Sequence, residues 1–122
     1  MKNKQLGVST LEPRVRIRVG DEIALGPGKV ALLELLEETG SITEAARQLE
    51  MSYMRAWTLI RTMNTCFKEP LVITVRGGSK GGGGAKLTET GREALALYHQ
   101  LSGRCLEAMQ PVWKRLRRFL QR

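Results

Sequence analysis

Aromatic residues make up only 5% of this 122-residue sequence, cysteine occurs twice and histidine once. Each scarcity excludes something. Cys66 and Cys105 supply no disulfide framework, so reduced thiols in a cytoplasm are expected. Together with the lone His99 they form no closely spaced ligand pair, and no metal site is expected. His99 also has no partnered nucleophile in any motif around it, so neither enzymatic activity nor a cofactor is expected. No apolar run reaches the ~18 residues that a membrane span needs. The opening residues MKNKQLGVSTLEPR carry Lys2 and Lys4 but no apolar stretch behind them, so no secretory signal is expected.

Acidic residues are scarce too. Twelve Asp and Glu face twenty Lys and Arg, giving a net charge of +8. A polyanionic partner is the first expectation, with nucleic acid ahead of a membrane surface, and an inert basic surface is the alternative. The charges are also segregated. Arg76, Lys80 and Lys86 form one block without acids, and Lys114, Arg115, Arg117, Arg118 and Arg122 form another.

The chain reads as one mostly α-helical domain with a small β-sheet. Alternation of apolar and basic residues over 14–19 predicts a half-buried strand with Arg14, Arg16 and Arg18 on its wet face. A helix over 28–39 follows Pro27, carries Val30, Leu33 and Leu36, and stops at Gly40. The segment 41–66 then holds two helices. Ser41-Ile42-Thr43-Glu44 predicts a capping box, and Ile42, Ala45, Ala46 and Leu49 share one face. After Glu50-Met51-Ser52, Ser52 caps a second helix whose inner row is Ala56, Ile60, Met63 and Phe67. Such a pair suits a helix-turn-helix, although the pattern fits a helical hairpin in any bundle equally well. Glu50 stands in the turn, where glycine is usual.

Beyond Pro70, the β-branched run Leu71 to Val75 predicts a strand. Six of the eight residues Gly77–Gly84 are glycine. They do not form a nucleotide-binding loop, because no glycine is followed by Lys-Ser or Lys-Thr and a short strand, not a helix, comes next. Segment 71–88 therefore reads as a hairpin with a glycine-rich tip that approaches phosphates closely. A long helix spans 89–120, with a kink or split expected at Pro111. Its seam of Leu95, Tyr98, Ser102, Cys105, Met109, Val112, Leu116 and Phe119 favours pairing with a second subunit over packing on its own domain.

GSITEAARQLEMSYMRAWTLIRTMN followed by LVITVRGGSKGGGGAKLTETG resembles the N-terminal winged helix-turn-helix domain of molybdate-responsive ModE-type transcription regulators, which is itself similar to the LysR-type DNA-binding domain. The SYxxAW segment, the MN pair and the GGxKGGGGAxLTxxG run carry the likeness over Gly40 to Gly91. The resemblance implies a homodimer on double-stranded DNA, with paired recognition helices and wings and a long C-terminal dimerisation helix. Regulators of this type also carry C-terminal molybdate-binding domains. The sequence ends at Arg122, so no oxyanion site is carried over and any small-molecule effector stays open.

Centring the buried face of the recognition helix on Ala56 puts Arg55, Thr58 and Thr62 on the opposite side. Ser52 and Tyr53 lie at its N-terminal end, the part that usually enters the groove. Arg55 is the candidate for base readout, Thr58 for a base or a thymine methyl, and Ser52 and Tyr53 for phosphates. Arg76, Lys80 and Lys86 on the wing are candidate phosphate contacts. Two other functions fit the composition: a protein-interaction module built on the last helix, and a non-specific architectural nucleic-acid binder.

Overall fold

Elements of the fold are set by a few capping and turn residues, and the computed structural model describes residues 7–75 and 84–121. The order is β1 (Ile17–Val19), β2 (Glu22–Leu25), α1 (Pro27–Thr39), α2 (Ile42–Gln48), α3 (Tyr53–Cys66), β3 (Val72–Val75), β4 (Gly84–Leu87) and α4 (Glu89–Arg117). The expected strand over 14–19 is shorter, and it pairs with β2, a strand that the sequence reading did not pick out. Val19 faces Glu22 across the two-residue turn Gly20-Asp21, with Gly20 at φ +61°. That left-handed turn geometry suits the twist of a tight hairpin, and glycine adopts it without strain.

Helix α1 stops at Gly40, whose φ of +68° lets its N–H donate to the Leu36 carbonyl. Helix α2 opens with half of the expected capping box. The Ser41 hydroxyl accepts from the Glu44 N–H at 3.0 Å, but the Glu44 carboxylate turns outward to Arg47 and Gln48. The Ser41 N–H goes to Thr39 Oγ1 instead, so the carboxylate is free to pair with a cation. In the turn before α3, Glu50 takes φ +56°, a left-handed backbone that costs a non-glycine residue about 1 kcal/mol. The turn is built as a helix-turn-helix requires, with glutamate in the strained position.

The core collects Leu32, Leu33 and Leu36 from α1, Ala45 and Ala46 from α2, and Ala56, Ile60 and Met63 from α3. Leu71, Val72, Ala85 and Leu87 close it from the hairpin side. All of these are at most 3% exposed. The alanines of α2 and α3 bring the helix axes close together, and the leucines of α1 fill the space behind them. Hairpin β3–β4 is antiparallel, with Val72 opposite Leu87 and Ile73 opposite Lys86. Its inner edge is held by the Ala85 N–H, which donates to the Gly40 carbonyl at 3.1 Å.

One knot joins three of these elements. Asn64, near the end of α3, accepts from the Leu71 N–H at 2.8 Å and the Val72 N–H at 3.2 Å. Its amide donates to the Val72 carbonyl at 2.9 Å. The Leu71 carbonyl accepts from the Thr88 N–H, and the Thr88 hydroxyl caps α4 by accepting from the Gly91 N–H. A Cβ on Gly91 would lie 2.1 Å from the Leu71 carbonyl oxygen, so only glycine fits there. Of the kink or split expected at Pro111, the split does not occur: helix α4 is continuous through it. No described helix is long and apolar enough to cross a membrane.

Asn64→Ala leaves up to three backbone groups without their partner and is expected to cost about 2–3 kcal/mol. Gly91→Ala forces backbone against backbone and should cost about 3 kcal/mol. Urea unfolding of the two variants measures both.

Candidate nucleic-acid interface

Helix α3 presents its polar side because its apolar residues are spent on the core. Ser52 caps it, its hydroxyl accepting from the Arg55 N–H at 3.0 Å. That hydroxyl oxygen is committed to the cap, which leaves its proton for an outside acceptor. Advancing 100° per residue from buried Ala56 puts Met54, Thr58, Arg61 and Thr65 at the middle of the outer face, and all four are exposed. Arg55 is exposed at one edge of this face, and Thr62 is half-buried beside it. Tyr53, 43% exposed, stands at the helix start.

The threonine hydroxyls are not idle. Thr58 Oγ1 donates to the Met54 carbonyl at 2.9 Å, and Thr62 Oγ1 donates to the Thr58 carbonyl at 3.1 Å. Each therefore turns toward the helix with its proton used, leaving the methyl group and an acceptor lone pair for a ligand. A thymine methyl or a base amino group matches that offer. Met54, 63% exposed, adds an apolar contact that the sequence reading missed. The signal was available: a methionine 160° from the buried centre of a short helix. Trp57 is half-buried against the core.

On the hairpin, Lys86 is exposed opposite Ile73, which is 41% exposed, so one face of the sheet points away from the core. Arg76 and Lys80 lie outside the described residues. In the sequence Asn64 stands out only as the second residue of the MN pair. Its role is to lock the base of this hairpin to α3, so that the two keep one fixed relation.

Charge is distributed unevenly between the two helices of the motif. On α2, Arg47 is held by Glu44 and is already neutralised. The Arg47 guanidinium, and after it the Gln48 amide, hold the Glu44 carboxyl down at about 2. On α3, Arg55 and Arg61 have no ion pair among the described residues. Uncompensated positive charge is thus concentrated on α3, where it meets any phosphate that approaches.

Comparison with known proteins agrees with this geometry. The family model for bacterial regulatory helix-turn-helix proteins of the lysR family matches residues 28–92. The chain is 42% identical over 93 residues to the molybdenum transport protein ModE of Azotobacter vinelandii, covering 76% of this chain and 34% of that protein. It is 40% identical over 86 residues to the transcriptional regulator ModE of Yersinia pestis, covering 70% and 32%. To the DNA-binding transcriptional dual regulator ModE of Escherichia coli K12 it is 35% identical over 86 residues, again covering 70% and 32%. The chain spans about a third of the length of these curated relatives.

The depressed Glu44 carboxyl gives a pH test. Its contribution to α2 is present above the ordinary carboxylate range and is lost as pH falls toward about 2. Carboxyl NMR titration should give Glu44 a midpoint near about 2. In Arg47→Ala that midpoint should return toward the ordinary range.

Proposed function

The chain belongs to the lysR family of bacterial regulatory helix-turn-helix proteins, and on that premise we propose that it is a sequence-specific, dimeric DNA-binding transcription regulator. The observation that carries the reading is the outer face of α3: Met54, Arg55, Thr58 and Arg61 exposed and free of carboxylates, on a helix locked to the adjacent hairpin. In this reading α3 enters the major groove and the hairpin follows the neighbouring backbone. Arg55 bonds a guanine edge and Thr58 offers its methyl to thymine. Ser52, Tyr53, Arg76, Lys80 and Lys86 meet phosphates, which sets affinity and register but not sequence. No catalytic step, cofactor or oxyanion effector enters the proposal, and the cytoplasm is the proposed compartment.

Dimerisation is proposed on α4. Of its 29 residues only Gly91 and Tyr98 are buried. Leu97, Leu101, Val112 and Leu116 are each at least 46% exposed. An apolar groove of about 370 Å³ runs between Leu97 and Leu101 on α4 and Ile17 and Leu25 on the β1–β2 hairpin. So much unpartnered apolar surface on one helix favours a second copy over solvent. Paired helices would set two recognition helices about 34–36 Å apart, one turn of duplex.

Selection of bound duplexes from a random pool tests the reading as a whole. Enrichment of an inverted repeat with half-sites about one helical turn apart is expected, and a pool without enrichment would overturn sequence-specific binding. On the selected duplex, Arg55→Ala should lose about 1–3 kcal/mol and relax preference at one base pair. Lys86→Ala should weaken selected and scrambled duplexes alike and lower the salt slope by about one. Sedimentation equilibrium should report a dimer, shifted toward monomer in Leu101→Arg.

A further inference from the structure

Arg55 has a second environment besides the recognition face. At the edge of α3 it lines a groove of about 310 Å³ together with Arg14, Arg16 and Lys29. Arg14 and Arg16 come from the segment that runs into β1, and Lys29 from the first turn of α1. Backbone of Gly26, Pro27 and Gly28 forms one wall, and no acidic residue lines the space. Arg14 meets Glu12 only loosely, at 3.8 Å between two exposed side chains. Among the described residues Arg16, Lys29 and Arg55 have no ion pair. The Arg16 stem lies over Gly26, 3.5 Å from where a Cβ would stand, so its charged end is carried to the groove on a packed support.

Four cations around one open space repel one another unless an anion joins them. The occupant is indicated by continuity. Arg55 belongs both to this groove and to the face of α3, so a duplex that receives α3 must run a backbone strand past that edge. We propose that this groove seats backbone phosphates of the DNA duplex on the side of α3 away from the β3–β4 hairpin. Arg14, Arg16 and Lys29 then act as a second arm. The duplex is gripped on both flanks of the recognition helix, by the wing on one and by the β1–α1 arm on the other. The inference rests on the DNA-binding reading above, and it assigns a surface outside the helix-turn-helix and wing.

Gly28 supplies an unusual test. Nothing lies within 4 Å of a Cβ built there, and it sits in the first turn of α1, where no acidic residue is present. Gly28→Asp therefore suits the helix, because a carboxylate near a helix start is favourable and glycine inside a helix is not. The same carboxylate stands among the four cations and repels phosphate. Stability and DNA affinity should move in opposite directions, which no purely structural role produces.

The experiment uses the full chain, with fluorescence anisotropy over a range of salt on the pool-selected duplex and on a scrambled one. Arg16→Gln/Lys29→Gln is compared with Lys68→Gln/Arg104→Gln, a pair of equal charge change drawn from exposed residues outside the groove. The groove pair should weaken both duplexes roughly tenfold and lower the salt slope by about two, while the control pair changes little. Gly28→Asp should bind more weakly than Gly28→Asn while its Tm is equal or higher. If the wild-type chain binds but the groove and control pairs behave alike, or Gly28→Asp binds like Gly28→Asn, the groove assignment is overturned. If the wild-type chain binds neither duplex, the DNA reading falls with it.

Discussion

The side chain of Asn64 is the constraint on which the remainder of this fold depends. A helix and a hairpin meeting end to end leave the first amides of the strand facing a helix side rather than another strand. Two amide protons and one carbonyl must find partners there, or burial of the junction is penalised. Asn64 meets all three. Leucine or alanine would suit the helix better but could satisfy none of them. On the far side of the same backbone, the Leu71 carbonyl takes the Thr88 N–H and presses against Gly91. Helix α3, the hairpin and the start of α4 are therefore referenced to one short piece of chain, Leu71–Val72. Helix α3 and the hairpin keep one relation only when their meeting point is fixed, and this junction fixes it.

The electrostatics follow a comparable division. Cations that already have a carboxylate, such as Arg47 beside Glu44, contribute to the protein's own helices. Among the cations without one, Arg16, Lys29 and Arg55 gather around a single groove between the β1–α1 junction and α3. A net charge of +8 by itself indicates only a preference for polyanions. The gathering of unpaired cations around one groove gives that preference a place on the surface.

Legibility in the sequence varied with the range of the signal. Helices α1, α2 and α3 were readable because their buried rows repeat at three and four residues, and each start carries a local mark: Pro27, Ser41, Ser52. The β1–β2 hairpin was half-read. Arg14 to Val19 alternates clearly, but Glu22–Leu25 is four residues long with its last two both buried, so it shows no period of two. Gly20-Asp21 was the available sign of a turn. The role of Asn64 was invisible, since nothing local to a helix end says which strand will arrive seven residues later. Pro111 signalled a kink or a split, and of the two the split does not occur. A proline removes one amide donor, yet an exposed stretch of helix leaves the orphaned carbonyl to water, and α4 continues. The grouping of Arg14, Arg16 and Lys29 with Arg55 is a tertiary fact, assembled from three segments that share no motif.

The Tyr98 hydroxyl donates to the Val15 carbonyl at 2.7 Å, across 83 residues of chain. Tyr98 is one of only two buried residues on the helix proposed to pair, and Val15 lies between Arg14 and Arg16 on the proposed arm. Any displacement of α4 that carries Tyr98 with it pulls on the backbone from which those arginines project. The proposed self-association and the proposed grip on a polyanion thus share a mechanical element. Were pairing and a ligand on the arm both to bias this element, each would favour the other by the same factor. In the proposed reading, protein concentration and DNA occupancy are then linked through this one hydroxyl.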